Sequence, residues 1–499
     1  MSNIRVTYTG FLSFFISIIS AITGTIFTLI LTRTLSQEEF GTWGLIGGTT
    51  QYVLIFSGII SYWSTRDVVR KIESGKTAIF GTFILSIFAT IMYVVISYFI
   101  GSETKVDLNI LYFSSILIPI IFFSGIITAI NLGFKPHTIS YGLLAQSISQ
   151  ILFAIIFVYY LQLGVLGIIL TQIISQMLYV VILFKYSYQQ IKNKFNLTYI
   201  KKWLKLFWIP LYPWLPNAVD ATSISIFSIM TGSVIGLSFW TAAAVLSAII
   251  TQTGQISKAV YPKLLESNDT HYLRDNMSQL FFFNFMITAM VIIFAKPALY
   301  ALNPVYVSAF FVVIILAINN FFATLTTTSI QNLTGIEKID LDEKASVKRY
   351  LRSKLFYPHT LRLLHTLAST IILIVGFRFL LNSNFTEIEL LIFWALTILI
   401  THVPISIYLL SKMIRTLHIK LDHKLIIQYF IITLLAFIPI FFLTENYLVY
   451  ENNLQSFIPH ILLFFGIGIF FYVFLAYSTD KKTRQLVTSI INEIKSRSL

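Results

Sequence analysis

About fourteen apolar stretches separated by short polar connections constrain this 499-residue chain more than any other feature. They run approximately over 9–32, 42–63, 78–101, 109–132, 139–160, 163–184, 207–231, 233–257, 277–296, 305–328, 357–379, 390–411, 425–443 and 457–478. A helix needs about 20 residues to cross roughly 30 Å of hydrocarbon, and each stretch meets that length. In lipid a backbone must satisfy its own N–H and C=O groups, which an α-helix does within one segment. The expected fold class is therefore all-α integral membrane, with about 14 transmembrane helices. The first stretch exceeds a signal-peptide core and lacks a small-residue cleavage site, so it is read as a retained helix.

Composition narrows the function classes. Only 11% of residues are charged against 56% hydrophobic, where soluble domains carry roughly 25% charge. The net charge of +14 does not suggest nucleic acid, because the basic residues flank apolar runs instead of forming a soluble patch. There is no cysteine, which removes disulfide frameworks, cysteine-based zinc sites and thiol nucleophiles. No cofactor is expected.

The charges fix an expected orientation. With the N-terminus inside, all but four of the 35 Lys and Arg residues fall on the cytoplasmic side; Arg33, Lys105, Lys296 and Arg378 fall outside. That bias is the positive-inside pattern. It predicts a multi-pass cell-membrane protein with both termini cytoplasmic. No connection is long enough to fold as a domain, so the work is expected inside the membrane region. The segment from 337 to 354 reads as a solvated helical connector.

Several local sequences occur in a familiar order. They are Leu31–Ile46 (LTRTLSQEEFGTWGLI), Ile130–Gly142 (INLGFKPHTISYG), Leu163–Gln176, Thr231–Ile249, Tyr261–Ser267 and Leu333–Lys338. On these motifs the chain resembles the polysaccharide and lipid-linked oligosaccharide flippases of the multidrug, oligosaccharidyl-lipid and polysaccharide exporter superfamily. The resemblance implies two six-helix lobes related by a pseudo-twofold axis along the membrane normal. An N-terminal lobe would occupy 1–185, a basic linker 186–206, a C-terminal lobe 207–411, and two peripheral helices with a basic tail 412–499. It also implies a transporter, not an enzyme, that carries a polyprenyl-(di)phosphate-linked saccharide between leaflets by alternating access. A coupling ion (H+ or Na+), membrane lipids and polysaccharide-assembly enzymes are its expected partners. Two alternatives stand beside it: an ion-coupled multidrug antiporter of the same superfamily, and a membrane glycosyltransferase or polymerase.

Candidate site residues follow from the cost of polar groups in lipid. Asp220 is the one acidic residue inside an expected span, so it should face the bundle interior and pair, bind a cation or carry a proton. Asn217, Asp220 and Ser223 repeat at steps of three on one side of the seventh helix. Pro210, Pro213 and Pro216 precede them, a pattern that suits a bent or broken helix. Gln252, Gln255 and Lys258 on the eighth helix and Asn320 on the tenth form polar stripes that suit either sugar hydroxyls or helix-to-helix hydrogen bonding. A diphosphate needs cations along its route. Arg33, Arg66, Arg70 and Lys258 are the near-membrane candidates, with Arg33 placed to pair with Glu38 or Glu39. His365 and His402 lack paired carboxylates and read as packing residues.

Overall fold

The computed structural model describes residues 3–104, 106–135, 138–192, 194–257, 260, 264, 270, 272–337, 339, 347–481 and 483–485, with backbone alone for 3–13 and 347. The described residues are helical or in turns, with no strand among them. In chain order the α-helices begin with α1 (Asn3–Thr34), α2 (Gln37–Leu54), α3 (Ser57–Val69), α4 (Gly75–Thr104), α5 (Leu108–Ser114), α6 (Leu117–Phe134), α7 (Thr138–Ala154), α8 (Gly164–Ile191), α9 (Leu197–Lys205) and α10 (Trp208–Leu211). They continue as α11 (Leu215–Thr231), α12 (Ile235–Ala248), α13 (Leu273–Ile293), α14 (Ala295–Leu302), α15 (Phe310–Gly335), α16 (Val347–Arg352), α17 (Tyr357–Asn382), α18 (Glu387–Thr416), α19 (His423–Tyr447) and α20 (Leu454–Thr479).

Among the described residues, twelve helical stretches are long and apolar enough to cross a membrane, and the pair α2 and α3 forms a thirteenth if taken as one span bent by 58°. The remaining expected span, 207–231, is broken: α10, a 3-10 turn at Tyr212–Trp214 and the 17-residue α11 follow one another. Pro210, Pro213 and Pro216 account for the break, since each lacks a backbone donor and crowds the preceding turn. Gly232 ends α11 at φ +64°, the left-handed cap that glycine adopts without strain. About fourteen crossings is thus consistent with the fold.

The expected straight span at 42–63 is instead the bent pair covering 37–69. At the bend the Ser57 hydroxyl donates to the Leu54 carbonyl at 2.7 Å. A side chain that inserts into the helical ladder is a usual cause of a kink.

Lipid exposure is written on α4. Its outward face carries Phe80, Phe83, Ile84, Ile87, Phe88, Ile91 and Val95, all exposed, while Gly81, Thr82, Ser86, Ala89 and Ser97 are buried. Large apolar groups outside and small or hydroxyl groups inside invert the soluble pattern, and this is how helices pack in a bilayer. The chain is a multi-pass membrane protein.

The fold comprises two compact units. One holds residues 15–245 and 337–405; the other holds 1–14, 246–336 and 406–499. In the first, Ile59, Trp63, Ile126, Ile130, Leu183, Trp203 and Phe356 share a buried core. Asn131 joins three helices there: its side-chain amide donates to the carbonyls of Ile127 and Leu183, and its oxygen accepts from Thr138. The 337–354 connector is only partly solvated, because Tyr350 is buried and Trp208 packs edge-on against it. Residues 338 and 340–346 of that connector lie outside the described residues.

In the second unit the end of the eighth span winds as a 3-10 helix over Ile249–Ser257. Buried amides tie it to α13: Thr253 donates to Asn284 at 3.2 Å, and Ser257 donates to Asn276 at 2.8 Å. Asn284 in turn donates to the Phe321 carbonyl of α15. The last two spans pack on α13 through Tyr472, whose hydroxyl donates to the Phe282 carbonyl at 2.9 Å.

Candidate functional site

The polar residues of α11 meet α17 in the first unit. Arg362, one turn into α17, donates from Nη2 to Asn217 Oδ1 at 2.6 Å. The same nitrogen lies 4.0 Å from Asp220 Oδ2. Asn217 and Asp220 are three residues apart, so one guanidinium reaches both from a neighbouring helix. One turn earlier, the hydroxyls of Tyr212 and Thr360 are 2.7 Å apart. These contacts place the broken seventh span along the start of α17.

The pairing is loose on the Asp220 side. Its side chain stays 47% accessible and that of Arg362 33%. A carboxylate turned toward hydrocarbon would be costly, so Asp220 is expected to face the interior of the bundle. Arg362 holds five N–H donors in a planar fork; among the described residues, Asn217 and Asp220 are its hydrogen-bond and ion-pair partners. The fork suits a phosphate or carboxylate bound through two parallel hydrogen bonds.

Below this polar level α11 is close-packed. Tyr52 of α2 donates to Ser225 at 2.9 Å. Gly48 faces Ile224, Gly44 lies where a β-carbon would come within 2.5 Å of the Thr241 hydroxyl, and a β-carbon on Gly41 would overlap the Val234 carbonyl. Small residues at this spacing let helices in lipid approach closely. Phe227 then leads into an aromatic cluster in which Trp240 and Trp394 stack at 3.7 Å and 2°.

His359 and His365 flank Arg362 on α17, each three residues away. His365 of α17 and His402 of α18 stack with ring centroids 5.0 Å apart, and both are buried. Nδ1 of His359 and of His365 is buried without a hydrogen-bond partner among the described residues. No cluster of three metal-ligating side chains occurs among the described residues.

The other sequence candidates fall in different places. Ser223 gives its hydroxyl to the Asp220 carbonyl of its own helix, so it is not directed at the Arg362 group. Arg33 lines a recess of about 490 Å³ with Thr34, Tyr159, Tyr160 and Gln162. Glu39, one of its two expected partners, closes a capping box with Ser36, accepting from that residue's backbone N–H at 2.9 Å. Arg66 lies over the Tyr62 ring at 4.5 Å, and Arg70 is exposed at the end of α3. Gln252 and Gln255 lie on the 3-10 segment and Asn320 on α15, all in the second unit and half-buried. Lys258 lies outside the described residues.

Arg362 is the residue that sequence reasoning missed as the partner of Asn217 and Asp220. It was counted among the basic residues that orient the chain, although it lies five residues beyond the expected start of its span at 357. That depth was the available signal.

No protein-family model matches the chain, and no curated protein matches its sequence. Solved structures do. An inward-facing multidrug-resistance transporter of the MATE family in the MOP superfamily superposes with a TM-score of 0.57 at 12% identity, over 80% of this chain and 94% of the other. An outward-facing form gives 0.56 at 12% identity over 83% and 95%. A MATE protein in complex with MaL6 gives 0.55 at 14% identity over 83% and 96%. At these identities the likeness establishes the fold: the chain has a MATE-like transporter fold.

Proposed function

We propose that the protein is a flippase that moves a polyprenyl-(di)phosphate-linked saccharide across the cell membrane by alternating access. The observation that carries this reading is Arg362, a cation set within a membrane-crossing helix and held by one amide and one distant carboxylate. A phosphate entering the bundle must leave water, and a preformed guanidinium compensates its charge at low dielectric. Asp220 then acts as the resident counter-anion that yields when the phosphate arrives. The saccharide is met by hydroxyls and amides, and the prenyl chain remains in the bilayer. Both termini are cytoplasmic in this reading, the driving force is the product gradient or a coupled H+ or Na+, and polysaccharide-assembly enzymes supply and remove the substrate.

A second reading, ion-coupled export of a cationic drug, is favoured by one specific observation. Asp220 is accessible and only loosely held, so a cation could replace Arg362 beside it. The structural neighbours described as multidrug transporters give that reading its context.

Purified protein in liposomes separates the two. With a fluorescent short-chain polyprenyl-diphosphate sugar, flipping is read from the label that becomes accessible to a membrane-impermeant quencher. Accelerated flipping supports the flippase. Absence of acceleration with several lipid-linked sugars, together with proton- or sodium-driven efflux of a cationic dye, would transfer the protein to the antiporter class.

A further inference from the structure

The helix α9, Leu197–Lys205, joins two membrane-crossing segments and lies pinned along the first unit. Asn196 caps it, accepting from Thr198 N–H at 2.9 Å, while its own backbone N–H donates to the Thr77 hydroxyl of α4 at 2.9 Å. At the other end Trp203 is 1% exposed and donates from its indole to Asp67 of α3 at 3.1 Å. One face is therefore committed to the protein.

The opposite face is exposed and of mixed chemistry. Leu197 and Leu204, seven residues apart and thus on one stripe, are both exposed, as are the flanking Phe195 and Phe207. Lys201, Lys202 and Lys205 are exposed beside them, with Lys192 and Lys194 just upstream. From Lys185 to Lys205 the sequence contains six Lys and no Asp or Glu.

We propose that this face of α9 is a binding site for anionic phospholipid. Leucines on a stripe edged by lysines match the layering of a bilayer surface, where apolar side chains enter the acyl boundary and ammonium groups meet phosphodiesters. A nucleic acid or an acidic protein would take the lysines but leave Leu197 and Leu204 in water. Trp203 and Asp67 connect the site to α3, so lipid bound on α9 bears on the bent second span. The proposal is independent of what the protein transports.

The test uses the full-length protein in detergent, titrated with phosphatidylglycerol or phosphatidylcholine and read by native mass spectrometry. The wild type is expected to prefer phosphatidylglycerol, with the preference falling at high salt. Lys201→Gln, Lys202→Gln and Lys205→Gln together are expected to weaken phosphatidylglycerol binding at least about tenfold, and the three Lys→Arg changes to restore it. The single variants Lys201→Gln and Lys205→Gln, each with a smaller loss, serve if the triple variant fails to fold. Equal binding of the two lipids by the wild type would overturn the proposal. So would a preference that survives the triple Gln change, or one that disappears instead with Lys412→Gln, Arg415→Gln and Lys420→Gln.

Discussion

At the scale of single residues, the Arg362 group and the glycine face of α2 have opposite tolerances. Arg362 lies 2.6 Å from Asn217 and 4.0 Å from Asp220, and the proposed function gives it a phosphate-binding role. The glycines are structural. A β-carbon on Gly41 would overlap a backbone carbonyl, whereas Gly47 has no atom within 4 Å of that position. Gly41→Val is therefore expected to lower stability by about 1–3 kcal/mol or more through overpacking, seen as a lower thermal midpoint in detergent. Gly47→Ala should be neutral or slightly stabilising, because alanine is the better helix former. Equal effects of the two changes would contradict the close packing of α2 on its neighbours. Asp220 and Asn217 were legible in the sequence because an acid inside an apolar run is rare and costly. Arg362 was not, because a basic residue near a span end satisfies the orientation rule wherever its side chain points. Only the tertiary pairing of α11 with α17 shows that it meets Asn217 and Asp220.

At the scale of elements, the breaks matter more than the spans. The proline-rich start of the seventh span announced its discontinuity, and the structure has it. The bend between α2 and α3 and the nine-residue 3-10 segment at Ile249–Ser257 carry no proline and were not foreseen. The bend has a local hydrogen bond, from Ser57 to the Leu54 carbonyl, whereas the 3-10 segment is held by a residue distant in sequence, Asn284, which accepts from Thr253 and donates to Phe321. Long 3-10 runs have poorer bond geometry than α-helix and need such support. Asn284→Ala removes both bonds and is expected to cost about 1 kcal/mol, since each polar contact in a membrane bundle is worth roughly 0.6 kcal/mol and the Thr253 hydroxyl keeps the Ile250 carbonyl as acceptor. Hydrogen exchange at 249–257 should rise in the same variant. Unchanged exchange there would mean that the 3-10 geometry is set by other contacts.

At the scale of the whole molecule, hydropathy and length were sufficient for an all-helical membrane fold of about fourteen crossings, and the chain superposes on solved MATE structures at 12–14% identity. Orientation is a further expectation drawn from charge. Because the chain has no cysteine, single introduced thiols report it directly. Ser383→Cys, exposed between α17 and α18, is expected to react with an impermeant maleimide from outside intact cells. Lys420→Cys, one span further on, should react only after permeabilisation. The reverse pattern would invert the orientation. The proposed substrate rests on a resemblance, because a shared fold does not specify what fills its interior. The most direct test of the flippase reading is the rate at which proteoliposomes flip a polyprenyl-diphosphate sugar, compared between wild type, Arg362→Gln and Arg362→Lys. The account predicts a loss of at least about tenfold for Gln, as expected when a charge-assisted hydrogen bond worth roughly 1.5–3 kcal/mol is removed, with partial retention for Lys. Full activity of Arg362→Gln, in protein that folds as the wild type does, would contradict it.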